Sequence, residues 1–170
     1  MSDTDLPVHF KVMLKNVGSM MSVVPWAKTV GFTLDTLERG RAIGTLPYDE
    51  KLIGDPDTGV IHGGAVTSML DNLSGTAVVS ALDEFKSTAT LDLRIDYMRP
   101  AEKGRDLIGE AECYHFTRTV AFVRAWAYHE TREKVVATAA GSFALQDPAR
   151  WASHQSKMMK KDAESKGAAS

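Results

Sequence analysis

The stretch 59-GVIHGGAVTSMLDNLSG-75 decides how the chain is read. From Gly63 onward, Val66, Met69, Leu70, Leu73 and Ala77 recur at steps of three and four, so at about 100° per residue they fall on one face of a helix. Continued to Leu82, this long helix spans about 30 Å at 1.5 Å per residue. Its other face carries Gly64, Thr67, Ser68, Asp71, Ser74 and Gly75. Glycine and aspartate are poor residues for a helix interior, so local stability does not account for them. Two accounts of the face stand. Either small side chains leave room for a ligand beside a lone carboxylate, or this is a solvated face with one ordinary acid.

Gly63 and Gly64 also admit two readings. The first turn of a helix exposes unpaired N–H groups and the positive end of the macrodipole, and glycine lets a ligand approach that backbone closely. Such an end suits a carbonyl oxygen that becomes an oxyanion. The other account is tight packing of the helix against a strand. His62 reads as a helix-entry residue, because a catalytic histidine needs an orienting partner and none is evident. Gly63 and Asp71 lie about 12 Å apart along one helix, whereas a base works within about 3 Å of its target. If both act on one carbonyl, the carboxylate comes from a second, antiparallel copy of the helix across a two-fold interface.

Around this helix the pattern is mostly extended. Leu6, Phe10, Met13, Leu14, Val17 and Met21 mark an amphipathic helix within residues 1–26 that docks on the rest. The runs 29-TVGFTLDTL-37 and 41-RAIGTLPY-48 read as a strand hairpin, and 49-DEKLIGDPDTG-59 as a loop. After the helix, 88-TATLDLRIDYM-98 alternates, with Leu91, Leu93, Ile95 and Tyr97 on one face. The runs 106–116, 119–130 and 134–145 follow at hairpin-length spacing, so four successive strands imply an antiparallel sheet. Strands and helices do not alternate, which makes the class α+β: a sheet of five or six strands wrapped on one central helix. One domain over 27–147 is expected, with a partly disordered tail over 148–170 that lies outside any site.

A net charge of −2 with mixed signs lacks the cationic surface of a nucleic-acid binder. One cysteine, Cys113, and five scattered histidines offer no disulfide framework or zinc spacing, so neither a metal nor a cofactor is expected. No segment has a signal-peptide core or the roughly 18 apolar residues of a membrane span; a cytoplasmic protein without membrane or nucleic-acid partners is the expectation.

Residues 27–146 resemble the hot-dog fold acyl-CoA thioesterases, in the group that includes the phenylacetyl-CoA thioesterase type. The resemblance rests on His62-Gly63-Gly64 with Asp71 following, on 95-IDYMRPA-101, and on the element order. It implies subunits paired sheet edge to sheet edge, a homodimer as the minimal active unit, and dimers that associate into tetramers. It also implies that the Gly63 N–H, with Gly64 contributing, polarises the thioester carbonyl. Asp71 of the partner copy would then attack, or activate water to attack, with the Thr90 hydroxyl positioning that water. Relatives frequently carry Asn where this chain has Asp55; an ionised Asp cannot donate the hydrogen bond an Asn can, and it would repel Asp71. His62, Ser68, Asn72, Arg99 and Arg118 are the substrate-binding candidates, Arg99 grouping with Lys103 and Arg105 as a site for CoA phosphates. The expected activity is hydrolysis of an acyl-CoA to free acid and CoA. The rival from another class is a hot-dog protein that binds acyl-CoA without turning it over.

Overall fold

A computed structural model describes residues 7–17, 21 and 24–147. The first helix, α1, covers Val8–Lys15 and buries Phe10 against the core; the expected helix continues through residues that partly lie outside those described, as does the whole tail over 148–170. The first difference from the sequence pattern comes next. Residues 29 and 30 are not strand but the end of a short helix, α2 (Pro25–Val30), which Pro25 opens at a position needing no N–H donor and Gly31 closes at φ 93°. The hairpin is therefore shorter than read: β1 is Thr36–Glu38 and β2 is Arg41–Leu46.

The central helix α3 runs Gly63–Ala81, followed by β3 (Ser87–Tyr97), β4 (Leu107–Phe116), β5 (Val120–Tyr128) and β6 (Val135–Gln146). Val66, Met69, Leu70, Leu73 and Ala77 of α3 are buried against the sheet, as the helical period requires. Ser74, placed by the same wheel on the open face, is instead fully buried, and its hydroxyl has no partner among the described residues. The fold is the α+β hot-dog arrangement, one antiparallel sheet of six strands curled around α3.

Strand order corrects the picture of four neighbours in sequence. The sheet runs β1-β2-β4-β5-β6-β3, so β3 crosses to pair with β6 and becomes the far edge. Alternation tells which face of a strand is apolar; it does not tell which strand lies alongside. The other edge, β1, is three residues long, but β3 offers eleven, with Leu91 and Tyr97 exposed along it and Met98 exposed just past its end.

A bulge breaks the β3–β6 register between Thr90 and Asp92. The extra residue, Leu91, is 60% exposed, whereas Leu93 and Ile95 pack on the core. The bulge switches parity: Thr88 and Thr90 face α3 before it, and Leu93, Ile95 and Tyr97 after it. Leu91 thus does not share the face of the other three.

In β5, Ala121, Val123, Ala125 and Ala127 are buried under α3, which leaves Phe122, Trp126 and Tyr128 on the outer face of the sheet. There Arg132 lies 3.3 Å over the Trp126 ring, and buried Glu110 accepts from Arg41 (3.0 Å), Arg132 (3.2 Å) and Tyr128 (3.1 Å). These aromatics consequently line no cleft beside α3. No helix among the described residues is long and apolar enough to cross a membrane.

Candidate active site

His62 is the N-cap of α3, in extended conformation, and its Nδ1 accepts from the Gly64 N–H at 2.9 Å. Because glycine at 64 has no Cβ, the ring can reach that N–H; a Cβ there would sit 2.8 Å from Nδ1. One of the two glycine amides considered for an oxyanion is therefore already used within the chain. The Gly63 N–H has no acceptor among the described residues. Its carbonyl accepts from the Tyr97 hydroxyl at 2.7 Å, which also lies 2.8 Å from Thr67 Oγ1. A Cβ on Gly63 would come 3.0 Å from that hydroxyl, so the end of β3 packs tightly on the start of α3. The chain thus crowds one side of the turn and leaves the Gly63 N–H without an acceptor among the described residues.

Two turns along, Asp71 is half-buried, and the Thr90 hydroxyl donates to its Oδ1 at 2.8 Å. The bulge after Thr90 aims that hydroxyl at the helix. Gly141, paired with Leu93 just past the bulge, accommodates it, since a Cβ there would lie 2.5 Å from the Asp92 carbonyl oxygen. Asp71, Gly75, Val79, Thr90 and Phe143 line a cavity of about 350 Å³ that Met13 and Phe85 also border. A second groove of about 600 Å³ opens beside the α3 N-terminus, between Trp26, Val30, Leu52, Ile53, His62 and Ala65.

Other candidates are brought elsewhere. Ser68 donates to the Gly64 carbonyl (2.8 Å) and accepts from Trp26 Nε1 (2.9 Å), tying α2 to α3. Asn72 lines the Asp71 cavity, but its amide donates to the Ser68 carbonyl at 2.9 Å. Asp55 serves its own loop: it accepts from Thr58 Oγ1 (2.7 Å) and the Asp57 N–H (3.0 Å), which hold its carboxyl below the usual carboxylate range. It does not line the cavity that holds Asp71.

Arg99 donates to the Val135 carbonyl at 2.8 Å and borders a hollow with His129 and Lys134. Arg105 there is held by Glu102 and Glu130, both at 2.6 Å, and so is not a free phosphate ligand. Arg118 lies at the β4–β5 turn, where Lys86 donates to its carbonyl at 3.1 Å. Lys86 precedes β3 and Arg99 follows it, a span of about 35 Å at 3.3 Å per residue, so Arg99 and Arg118 of one chain cannot hold the same phosphate. Trp26, Tyr97, Met13 and Phe85 were not singled out from the sequence as site residues. Only Tyr97 stood in a quoted motif, and the period of β3 there announces a strand, not a contact with Gly63.

The sequence pattern of the Thioesterase superfamily matches residues 58–136, which hold α3, Asp71 and Thr90. A Pseudomonas aeruginosa protein of known crystal structure is 37% identical, with a TM-score of 0.69, over 78% of this chain and 98% of that one. A Halobacterium salinarum protein provisionally classed as an esterase is 35% identical over 54% of this chain; the match spans 61% of that relative's own length. The medium/long-chain acyl-CoA thioesterase YigI of Salmonella typhimurium is 28% identical over 66% of this chain and 75% of its own. With a six-stranded sheet wound on one helix, a capped glycine turn and an acid two turns beyond it, the chain belongs to the thioesterase superfamily.

Proposed function

We propose that the chain hydrolyses acyl-CoA thioesters at a site completed by a second copy of itself. The observation that carries this reading is the pairing of Asp71 with Thr90 in a cavity while Gly63, the open one of the two glycine amides at the α3 start, lies about 12 Å away on the same helix. One chain holds both halves of the chemistry and cannot bring them together. The long exposed edge of β3 supports the remedy, since an unpaired strand of this length invites pairing with its own copy. Edge pairing about a two-fold axis sets two α3 helices antiparallel, with Gly63 of one copy opposite Asp71 of the other.

In this reading Asp71 takes a proton from a water molecule whose oxygen attacks the thioester carbonyl. The oxyanion that forms accepts from the Gly63 N–H. The C–S bond then breaks, the CoA thiolate leaves, and it regains its proton from Asp71. Thr90 holds one carboxylate oxygen and turns the other toward the water. Arg99, Lys103 and Lys134, near the α3 N-terminal end, are the cations for the CoA phosphates.

The test is subunit mixing. Gly63→Pro removes the amide proton at a helix position where proline is tolerated, with Gly63→Ala as a control that keeps it. Gly63→Pro and Asp71→Asn chains, each inactive alone, should recover CoA release when refolded together, because each mixed dimer regains one intact site. Absence of recovery in verified mixed dimers rejects the shared site. Binding of acyl-CoA by the wild type without CoA release would instead favour a non-catalytic binder.

Gly141→Ala probes the bulge. Its Cβ must displace the Asp92 carbonyl, and a misplacement of about 1 Å at the neighbouring Thr90 is expected to lower kcat by roughly tenfold to a hundredfold. If the effect passes through Thr90, adding Gly141→Ala to Thr90→Val costs little more than Thr90→Val alone. Independent, additive losses would mean that Gly141 acts by another route.

A further inference from the structure

The cavity beside Asp71 has direction as well as volume. It follows α3 from Asp71 past Gly75 to Val79, a run of about 12 Å at 1.5 Å per residue, and away from Asp71 its lining is mostly apolar, with Val79, Phe85, Phe143 and Met13 beside Thr76 and Thr88. Part of that wall comes from neither α3 nor the sheet: Met13 belongs to α1, which lies outside the residues 58–136 matched by the family pattern.

Three contacts seat α1 there. Phe10 is 3% exposed, the His9 ring lies 6.2 Å from Phe85, and His9 Nε2 donates to the Val79 carbonyl at 3.2 Å. Val79 lies in the last turn of α3, where carbonyls lack helical partners, so His9 completes the end of the helix. Met13 stands one turn after His9 on the same face of α1 and is carried to the cavity by that docking. The opposite wall has spare room. A Cβ on Gly75 would make only ordinary contacts, 3.6 Å from Phe143 and 3.7 Å from Thr88, although glycine in mid-helix costs about 1 kcal/mol relative to alanine.

The geometry points to this cavity as the acyl-chain channel, with Met13 of α1 as its end wall, so that α1 sets the longest chain accepted and the substrates are straight-chain acyl groups of medium length. With single bonds of about 1.5 Å, a channel of about 12 Å holds roughly eight to ten extended carbons. This rests on the acyl-CoA reading above and adds which thioesters are turned over and which residue limits them.

The test is a length profile: kcat/KM for CoA release from straight-chain acyl-CoAs between acetyl and palmitoyl, with phenylacetyl-CoA alongside. It is run on the wild type, Met13→Ala, Met13→Trp and Gly75→Val, with melting curves to verify folding. Val12→Ala, on the exposed face of α1, serves as the control. Met13→Ala is expected to raise the ratio of dodecanoyl to hexanoyl turnover about tenfold, the discrimination typical of a methylene or two in an apolar pocket. Met13→Trp and Gly75→Val should move the optimum to shorter chains, and Val12→Ala should not move it. An unchanged profile in all three channel variants, or a wild type that prefers phenylacetyl-CoA over every straight chain, overturns the inference while leaving the hydrolase reading intact. Should no thioester be hydrolysed, that reading fails by itself. Calorimetric affinities for the same series then decide the channel, a Met13-dependent length optimum supporting it and a flat response rejecting it.

Discussion

Asp71→Asn is expected to lower kcat/KM for acyl-CoA hydrolysis by about 10²- to 10⁴-fold, the range for loss of a positioned general base. The substitution is nearly isosteric, and the side chain is only half-buried. An amide oxygen still accepts the Thr90 hydroxyl that now rests 2.8 Å from Oδ1, so position and packing persist. What disappears is the capacity to take a proton. The melting temperature should therefore stay within a few degrees of the wild type while CoA release collapses. Thr90→Val, which leaves the carboxylate but frees it to rotate, should cost less than Asp71→Asn. A full rate in Asp71→Asn would remove this carboxylate from the chemistry and turn attention to another base.

Gly44→Ala is expected to produce the largest loss of stability, about 3 kcal/mol or more, which for a chain of this size lowers Tm by on the order of 10 °C. Gly44 sits in β2 where the chain at Thr33 passes beneath it. The Thr33 N–H donates to Thr45 and the Asp35 N–H to Ile43, both at 2.8 Å, so this backbone is fixed on either side of Gly44. A Cβ at 44 would run into the Thr33 carbonyl oxygen and approach Leu73 Cδ2 to 3.1 Å. A side chain can swing away from an added methyl, but a backbone carbonyl between two N–H groups pinned to β2 has little room to move. Against a typical total stability of about 5–15 kcal/mol, the variant should unfold at markedly lower denaturant concentration. Gly75→Ala is the counter-case. It adds the same methyl where there is room, in a helix, and should be neutral or stabilising by up to about 1 kcal/mol.

Glycines 44, 75 and 141 illustrate why sequence alone goes only part of the way. As letters they are equivalent; one admits a backbone crossing, one borders a cavity and one accommodates a bulge. Asp71 was legible because it interrupts an otherwise small and apolar helical pattern, and Gly63 because it stands at the start of that pattern. Thr90 came from resemblance, since a threonine in a strand is unremarkable by composition. That Asp55 caps its own loop, and that His62 occupies the Gly64 amide, depends on local turns which the residue types permit without requiring.

By itself the sequence determined the α+β class, the buried face of α3 and the strand character of β3 to β6, because helical and extended periods are local properties that six to twenty residues can display. Tertiary structure alone decided that β3 lies beside β6 at the sheet edge, that a bulge aims Thr90 at Asp71, that Phe122, Trp126 and Tyr128 face away from the helix, and that Met13 lines the cavity beside Asp71. The physical reason is common to all four. A period states which side of an element is apolar, whereas the partner on that side is chosen by contacts between residues distant in sequence, and no local pattern records them.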